Sequence, residues 1–197
     1  MHLRLHFVPK TRATRARWAL EEAGLAYELR LLDIGADEQR SDAYRRIHPL
    51  AKVPALEVDG VPMFESAAIV VWACDLATPA PLAPRPDAPE RRAYLTWVFY
   101  ATTTLDPLVE GLAAARRSGD SDRVARALEA LREPLQVVDR AVAGSSWLLG
   151  DAFTGADIVL ASVVRWAMAL DAGLVSPAVT EWVRRCFARP AARRAIS

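Results

Sequence analysis

The chain predicts an α/β plus all-α protein: an N-terminal domain ordered β-α-β-α-β-β-α, then a C-terminal helical bundle. Three observations predict it. Strand and helix patterns alternate up to Leu76, with a hairpin signal at Asp59-Gly60. Five prolines crowd residues 78–89, at positions 79, 81, 84, 86 and 89, where no packed element can form. Beyond them apolar residues recur at helical spacing. The expected boundaries are residues 1–77, a linker at 78–89, and a helical domain at 90–197.

Leu3 to Val8 alternates as a half-buried strand that Pro9 stops. Arg12 to Ala23 reads as a helix with Ala16, Ala19, Leu20 and Ala23 on one face, closed by Gly24. Tyr27 to Leu32 is a second strand, so the first thirty-odd residues make a βαβ unit. A short helix is expected near Ser41 to Ile47. Ala55 to Val58 and Val61 to Phe64 flank Asp59-Gly60 as hairpin strands. Pro62 has no N–H for a ladder, which puts the returning strand at a sheet edge. Ala67 to Leu76 is an apolar helix, with Ser66 as its expected cap.

In the second half, Glu90 to Ala115 is helical with a break at Pro107, and Asp122 to Val142 carries Pro134 as an expected kink. Thr154 and Asp157 have capping-box spacing, with Phe153 and Ile158 at hydrophobic-staple positions. The apolar run to Leu170 marks a buried central helix, and Asp157 reads as its cap and not as a catalytic acid.

Composition narrows the function. A net charge of +1 with 52% hydrophobic residues leaves no electrostatic footprint for nucleic acid. Cys74 and Cys186 lie far apart in apolar helical contexts, as core thiols in a reducing compartment. No stretch reads as a membrane span, and the first residues lack a signal peptide's apolar centre, so a cytoplasmic protein is expected. His2 and His6 share a strand face but have no evident third ligand, so no metal is expected.

The informative stretch is Lys52 to Ser66, Lys-Val-Pro-Ala-Leu-Glu-Val-Asp-Gly-Val-Pro-Met-Phe-Glu-Ser. At its end a hydroxyl and the first free N–H groups of a helix face one point, an anion site. Glu65 beside it offers a counter-charge for an ammonium. Carboxylate and amine on one carbon, an α-amino acid end, would satisfy both.

Lys-Val-Pro-Ala-Leu, the Asp-Gly hairpin and Glu-Ser-Ala-Ala-Ile resemble the glutathione S-transferase superfamily, and Trp-Leu-Leu-Gly-Asp with the capping box resembles its C-terminal domain. The resemblance covers nearly the whole chain. It implies a thioredoxin-like first domain with a cis bond before Pro54, glutathione as co-substrate, and no metal. Val53 would pair its backbone with the cysteinyl part, Glu65 and Ser66 would hold the γ-glutamyl end, and Lys52 would meet the glycyl carboxylate.

Glutathione chemistry needs a thiolate, and a free thiol with a pKa of about 8.5 is only slightly ionised at neutral pH. The resemblance places the stabilising donor in the turn Pro9 to Arg15. Phe7 stands in the region where other classes carry Tyr, and the turn has no Cys. Thr11 is the first candidate; Thr14, Lys10 and Arg12 remain open beside it. Of the aromatics Tyr94, Trp97, Phe99 and Tyr100, the resemblance puts Trp97 and Tyr100 near an apolar electrophile bound between the domains. It also implies a homodimer and a detoxifying transferase. The alternatives are a glutathione-dependent isomerase, dehalogenase or peroxidase, or a non-catalytic glutathione-transferase-like binding protein. Retention of Glu65, Ser66 and Val53-Pro54 argues against the last.

Overall fold

A computed structural model describes residues Met1–Ser197 in two compact units, Met1–Ala83 with Arg189–Ser197, and Pro84–Ala188. The division falls inside the proline-dense stretch. One difference from the expected boundaries lies at the C-terminus, whose last nine residues belong to the first unit and not to the helical one.

The first unit is built on a four-stranded sheet, β1 (Leu3–Phe7), β2 (Glu28–Leu31), β3 (Ala55–Val58) and β4 (Val61–Phe64), in the order β2-β1-β3-β4. β1 runs parallel to β2 and antiparallel to β3, and β3 is antiparallel to β4. This is the mixed, thioredoxin-like sheet expected from the element order, and β4 with Pro62 is an edge strand, as expected. The hairpin turns where expected, with positive φ at both Asp59 and Gly60. Leu5 and Leu56, cross-strand partners on one face, are fully buried.

α1 (Ala13–Glu22) packs against β1, α3 (Ser66–Asp75) and α9 (Pro190–Ile196). It ends at Gly24, whose φ of +65° lets Leu25 N–H reach the Leu20 carbonyl at 3.1 Å, a Schellman closure. α2 (Asp42–Arg45) is a single turn capped by Ser41, whose hydroxyl accepts from Tyr44 N. Its Tyr44 packs with Leu32 and Ala55 on the other face of the sheet.

The return of α9 to the first unit has a polar cause. Arg189 grips Glu22 with two bonds of 2.6 and 2.8 Å, and Trp18 Nε1 donates to the same carboxylate at 2.9 Å. Arg194 reaches Glu21 at 2.5 Å, and Glu21 also accepts from the Tyr27 hydroxyl. A buried carboxylate with three donors holds its partners firmly, whereas either ion pair alone on a surface would contribute little. Pairs 167 and 173 residues apart leave no periodic signal in a sequence.

The second unit contains α4 (Glu90–Phe99), α5 (Asp106–Ser118), α6 (Ser121–Val142), α7 (Gly155–Leu170) and α8 (Pro177–Ala188). A π-helical turn over Tyr100–Leu105 joins α4 to α5. Pro107 therefore sits in the first turn of α5, where its missing N–H costs nothing. Pro134 is carried inside α6. α7 is the centre of this unit: Ile158, Val159, Leu160, Ala161, Val163 and Val164 are all fully buried.

Asp157 anchors that centre. It completes the capping box with Thr154 and accepts from Leu148 N at 2.9 Å, Thr154 N at 2.9 Å and Trp182 Nε1 at 3.1 Å. Burial pushes its carboxyl above the usual range, against the pull of these donors. Removing the acceptor strands several buried donors at once. Asp157→Ala is therefore expected to lower unfolding stability by about 3–5 kcal/mol, read from the shift of the urea midpoint. A loss below about 1 kcal/mol would mean that the cap is not the anchor it looks to be.

Candidate functional site

Strand direction gathers the sequence-predicted residues of the first unit. His6 pairs with Ala55, and Ala55 with Phe64, so three chain segments leave the same end of the sheet. They are the turn after β1 with Thr11, the loop before β3 with Lys52, Val53 and Pro54, and the step from β4 into α3 with Glu65 and Ser66. Val8 and Val53 pack on the same apolar cluster as Tyr44, which ties the first two segments together.

The loop before β3 carries a cis bond between Val53 and Pro54. Pro54 is buried and Val53 half-buried, while Lys52 is exposed. The Lys52 carbonyl accepts from the Tyr44 hydroxyl at 2.7 Å. The Val53 N–H donates to no group in the protein.

The step into α3 differs from the expected cap. Glu65, not Ser66, is the N-cap residue, and it gives no side-chain cap bond. Ser66 is the first helical residue; it is largely buried, and its solvent-reached hydroxyl makes no hydrogen bond within the protein. The shift of one position follows from the backbone. Glu65 adopts φ 71° and ψ 110°, a conformation rare outside glycine, and this turns the chain from β4 into the helix. The amides of the first turn of α3 thus remain without a side-chain acceptor.

His48 sits beside this corner. It is 4% exposed, its ring lies 5.1 Å from the Phe64 ring, and its Nδ1 accepts from Leu50 N at 3.3 Å. Burial holds its pKa below the ordinary value, the Glu65 carboxylate pulls the other way, and Lys52 adds to the lowering. His48 therefore lies within the electrostatic reach of both Glu65 and Lys52. The site carries one carboxylate, one ammonium and one neutral imidazole around an open helix N-terminus.

In the turn after β1, Lys10 has φ 61° and is exposed. The Thr11 hydroxyl donates to the Val8 carbonyl at 2.7 Å and accepts from Ala13 N at 3.2 Å. Arg12 is the N-cap residue of α1 and gives no side-chain cap bond, and Thr14 is half-buried in the first turn. The Thr11 hydroxyl thus braces the turn into α1 from one residue before the N-cap.

Trp97 and Tyr100 belong to the second unit. Their rings meet edge to face at 5.4 Å, and the Tyr100 hydroxyl donates to the Pro134 carbonyl at 2.9 Å. A groove of about 600 Å³ on that unit runs along α6 and the 171–176 turn, lined by neither aromatic. His6 is drawn to Glu57, with Nε2 at 2.8 Å from Oε1, and no three side chains are grouped to hold a metal.

Tyr44 was missed in the sequence. Its signal was faint: a tyrosine on a short helix eight residues before Lys52, whose hydroxyl needs a partner once buried.

Comparison with known proteins agrees with this layout. Residues 2–73 match the model of the glutathione S-transferase N-terminal domain, and residues 92–190 that of the C-terminal domain. The disulfide-bond oxidoreductase YfcG of Escherichia coli is 30% identical over 98% of this chain and 93% of its own. Glutathione S-transferase GST-4.5 of Xanthomonas campestris is 31% identical over 77% of this chain and 74% of its own. A glutathione transferase from Burkholderia graminis, solved with two glutathione molecules bound per subunit, superposes with a TM-score of 0.87 at 28% identity. That superposition covers 99% of this chain and 87% of the other. The chain belongs to the glutathione S-transferase family.

Proposed function

We propose that the protein binds glutathione at the end of its sheet and conjugates it, through its thiolate sulfur, to an apolar electrophile whose leaving group departs or whose π-bond takes up the electron pair. The observation that carries this reading is the convergence of unsatisfied backbone and side-chain groups there: the Val53 N–H, the open start of α3, and the Ser66 hydroxyl. A helix start accepts the α-carboxylate of the γ-glutamyl end, and the Glu65 carboxylate accepts its ammonium. The Val53 amide suits the cysteinyl backbone, and the Lys52 ammonium the glycyl carboxylate.

The thiol then lies toward the turn after β1. Thr11 is proposed as the donor that stabilises the thiolate. In the absence of ligand its proton goes to the Val8 carbonyl. A hydrogen bond to a charged group contributes about 1.5–3 kcal/mol and a neutral one about 0.5–1.5 kcal/mol, so a thiolate within reach wins the proton. Thr14, Lys10 and Arg12 are the other donors of this turn. Trp97 and Tyr100 are proposed as apolar lining for the electrophile. A cytoplasmic homodimer completes the reading. Buried Cys74 and Cys186 fit a reducing compartment, and exposed Leu50 and Phe64, on either side of His48, suit a self-association surface.

A second reading, glutathione-dependent disulfide reduction, is favoured by the likeness to a relative named a disulfide-bond oxidoreductase. Both cysteines of this chain are buried, so the electrons would come from glutathione. One glutathione thiolate would attack the disulfide and expel a thiol, and a second glutathione would resolve the mixed disulfide. Glutathione-affinity capture, then assay against a panel of electrophiles and a small-molecule disulfide, separates the two readings. Absence of capture would sink both.

Ser66→Ala and Glu65→Ala are each expected to weaken glutathione binding by about ten- to a hundredfold in calorimetry, with unfolding midpoints nearly unchanged. Equal affinity in both variants would place the amino-acid end elsewhere. Thr11→Val is expected to raise the apparent pKa of the bound thiol, followed by thiolate absorbance, while glutathione affinity stays largely intact. Thr11→Ser should behave as the parent. A Thr11→Val protein that loses stability but titrates normally would leave Thr11 as a brace of the turn only.

A further inference from the structure

The Lys52 carbonyl and the Val53 N–H belong to one peptide unit. That unit is trans, because the cis bonds lie at Val53-Pro54 and Thr78-Pro79. In a trans peptide the C=O and N–H point in opposite directions within a rigid plane. Whatever holds the carbonyl on one side therefore aims the N–H at the other. The Tyr44 hydroxyl holds it, at 2.7 Å.

Tyr44 is well placed to act as a fixed post. It is 3% exposed, and its ring packs with Leu32 and Ala55, with Val8, Ile47 and Val53 against them. The His6 ring meets it edge-on at 5.4 Å. Its backbone is pinned as well, since the Tyr44 carbonyl accepts from both Ile47 N and His48 N at 2.9 Å. Burial pushes the phenol pKa up, so the hydroxyl keeps its proton as a donor at any physiological pH. On the opposite side of the peptide plane the Val53 N–H has no acceptor within the protein.

We infer that Tyr44 is a positioning residue for glutathione: by gripping the Lys52 carbonyl it directs the Val53 N–H toward the cysteinyl backbone of the ligand. This rests on the proposed glutathione site. Tyr44 touches neither ligand nor reacting atoms. It removes freedom from a peptide plane that would otherwise rotate between ligand-facing and inward orientations, so the ligand need not supply that ordering.

Tyr44→Phe keeps the ring and removes only the hydroxyl. Two measurements on the full chain test the inference: calorimetry with reduced glutathione, and amide hydrogen exchange resolved along the first unit. Affinity is expected to fall roughly three- to tenfold, as loss of one neutral hydrogen bond implies. Exchange is expected to rise at Ala51, whose N–H donates to the His48 carbonyl at the start of the loop, while β1 and α1 keep their protection. Unchanged affinity in the variant, with the parent binding normally, overturns the inference and leaves the glutathione site standing. Exchange that rises equally across β1, α1 and the loop also overturns it, because Tyr44 is then a general packing residue. A parent protein that does not bind glutathione overturns the functional reading, and this inference with it.

Discussion

Everything at the candidate site depends on β3, which lies between β1 and β4 and runs antiparallel to both. Antiparallel pairing makes the start of β3 the neighbour of the ends of β1 and β4. The row His6, Ala55, Phe64 is that alignment in residues. A parallel β3 would send the cis-proline loop to the far end, away from Thr11 and Ser66. Antiparallel register is held by alternate burial, here by Leu5 and Leu56 on one face and by His6 and Ala55 on the other. A slip of β3 by one residue would turn Leu56 onto the Tyr44 face and Ala55 onto the face of Leu5, and would move Val53 off the Tyr44 cluster.

Much of this was legible in the sequence because the signals are local. Asp59-Gly60 specifies a tight turn between two β-rich runs, and the turn specifies which residues of β3 and β4 face each other. Gly24 closes α1 for a similar reason, since only a residue without Cβ takes that φ without strain. Thr154 and Asp157 declare the start of α7 by spacing alone. The cap of α3 was misread by one residue, and the reason is also local. Ser is a common N-cap, whereas a glutamate with positive φ has no propensity that would announce it.

The parts that could not be read are those made by long-range pairing. Nothing local tells that Arg189 meets Glu22, or that α9 leaves the helical unit to lie on α1. The bond from Tyr44 to Lys52 spans only eight residues, yet it requires α2 to fold under the loop, which depends on Leu32 and Ala55 being brought together by the sheet. The sites on Trp97 and Tyr100 were named from resemblance. Their geometry adds a constraint, because the Tyr100 hydroxyl is already spent on the Pro134 carbonyl.

Glu65 brings the energetic argument to a point. A non-glycine residue in its conformation costs about 1–3 kcal/mol, and proteins retain such strain only where surrounding structure or function compensates. Here the backbone is compensated in part, since the Glu65 carbonyl accepts the first helical bond of α3 from Ile69 N at 3.1 Å. The side chain is not. Its carboxylate is exposed and makes no ion pair with any residue of the chain, although His48 and Lys52 lie within electrostatic reach. Glycine would make the same turn with less strain, so the turn alone does not explain a glutamate. What glutamate adds is a negative charge held beside a helix start that itself favours anions. A carboxylate and an anion site side by side repel a simple anion or a simple cation, and suit a ligand that carries both charges on adjacent groups. On the proposed reading, the strain is the cost of presenting a zwitterion site, which would suit an amino-acid end better than a phosphate or a free amine.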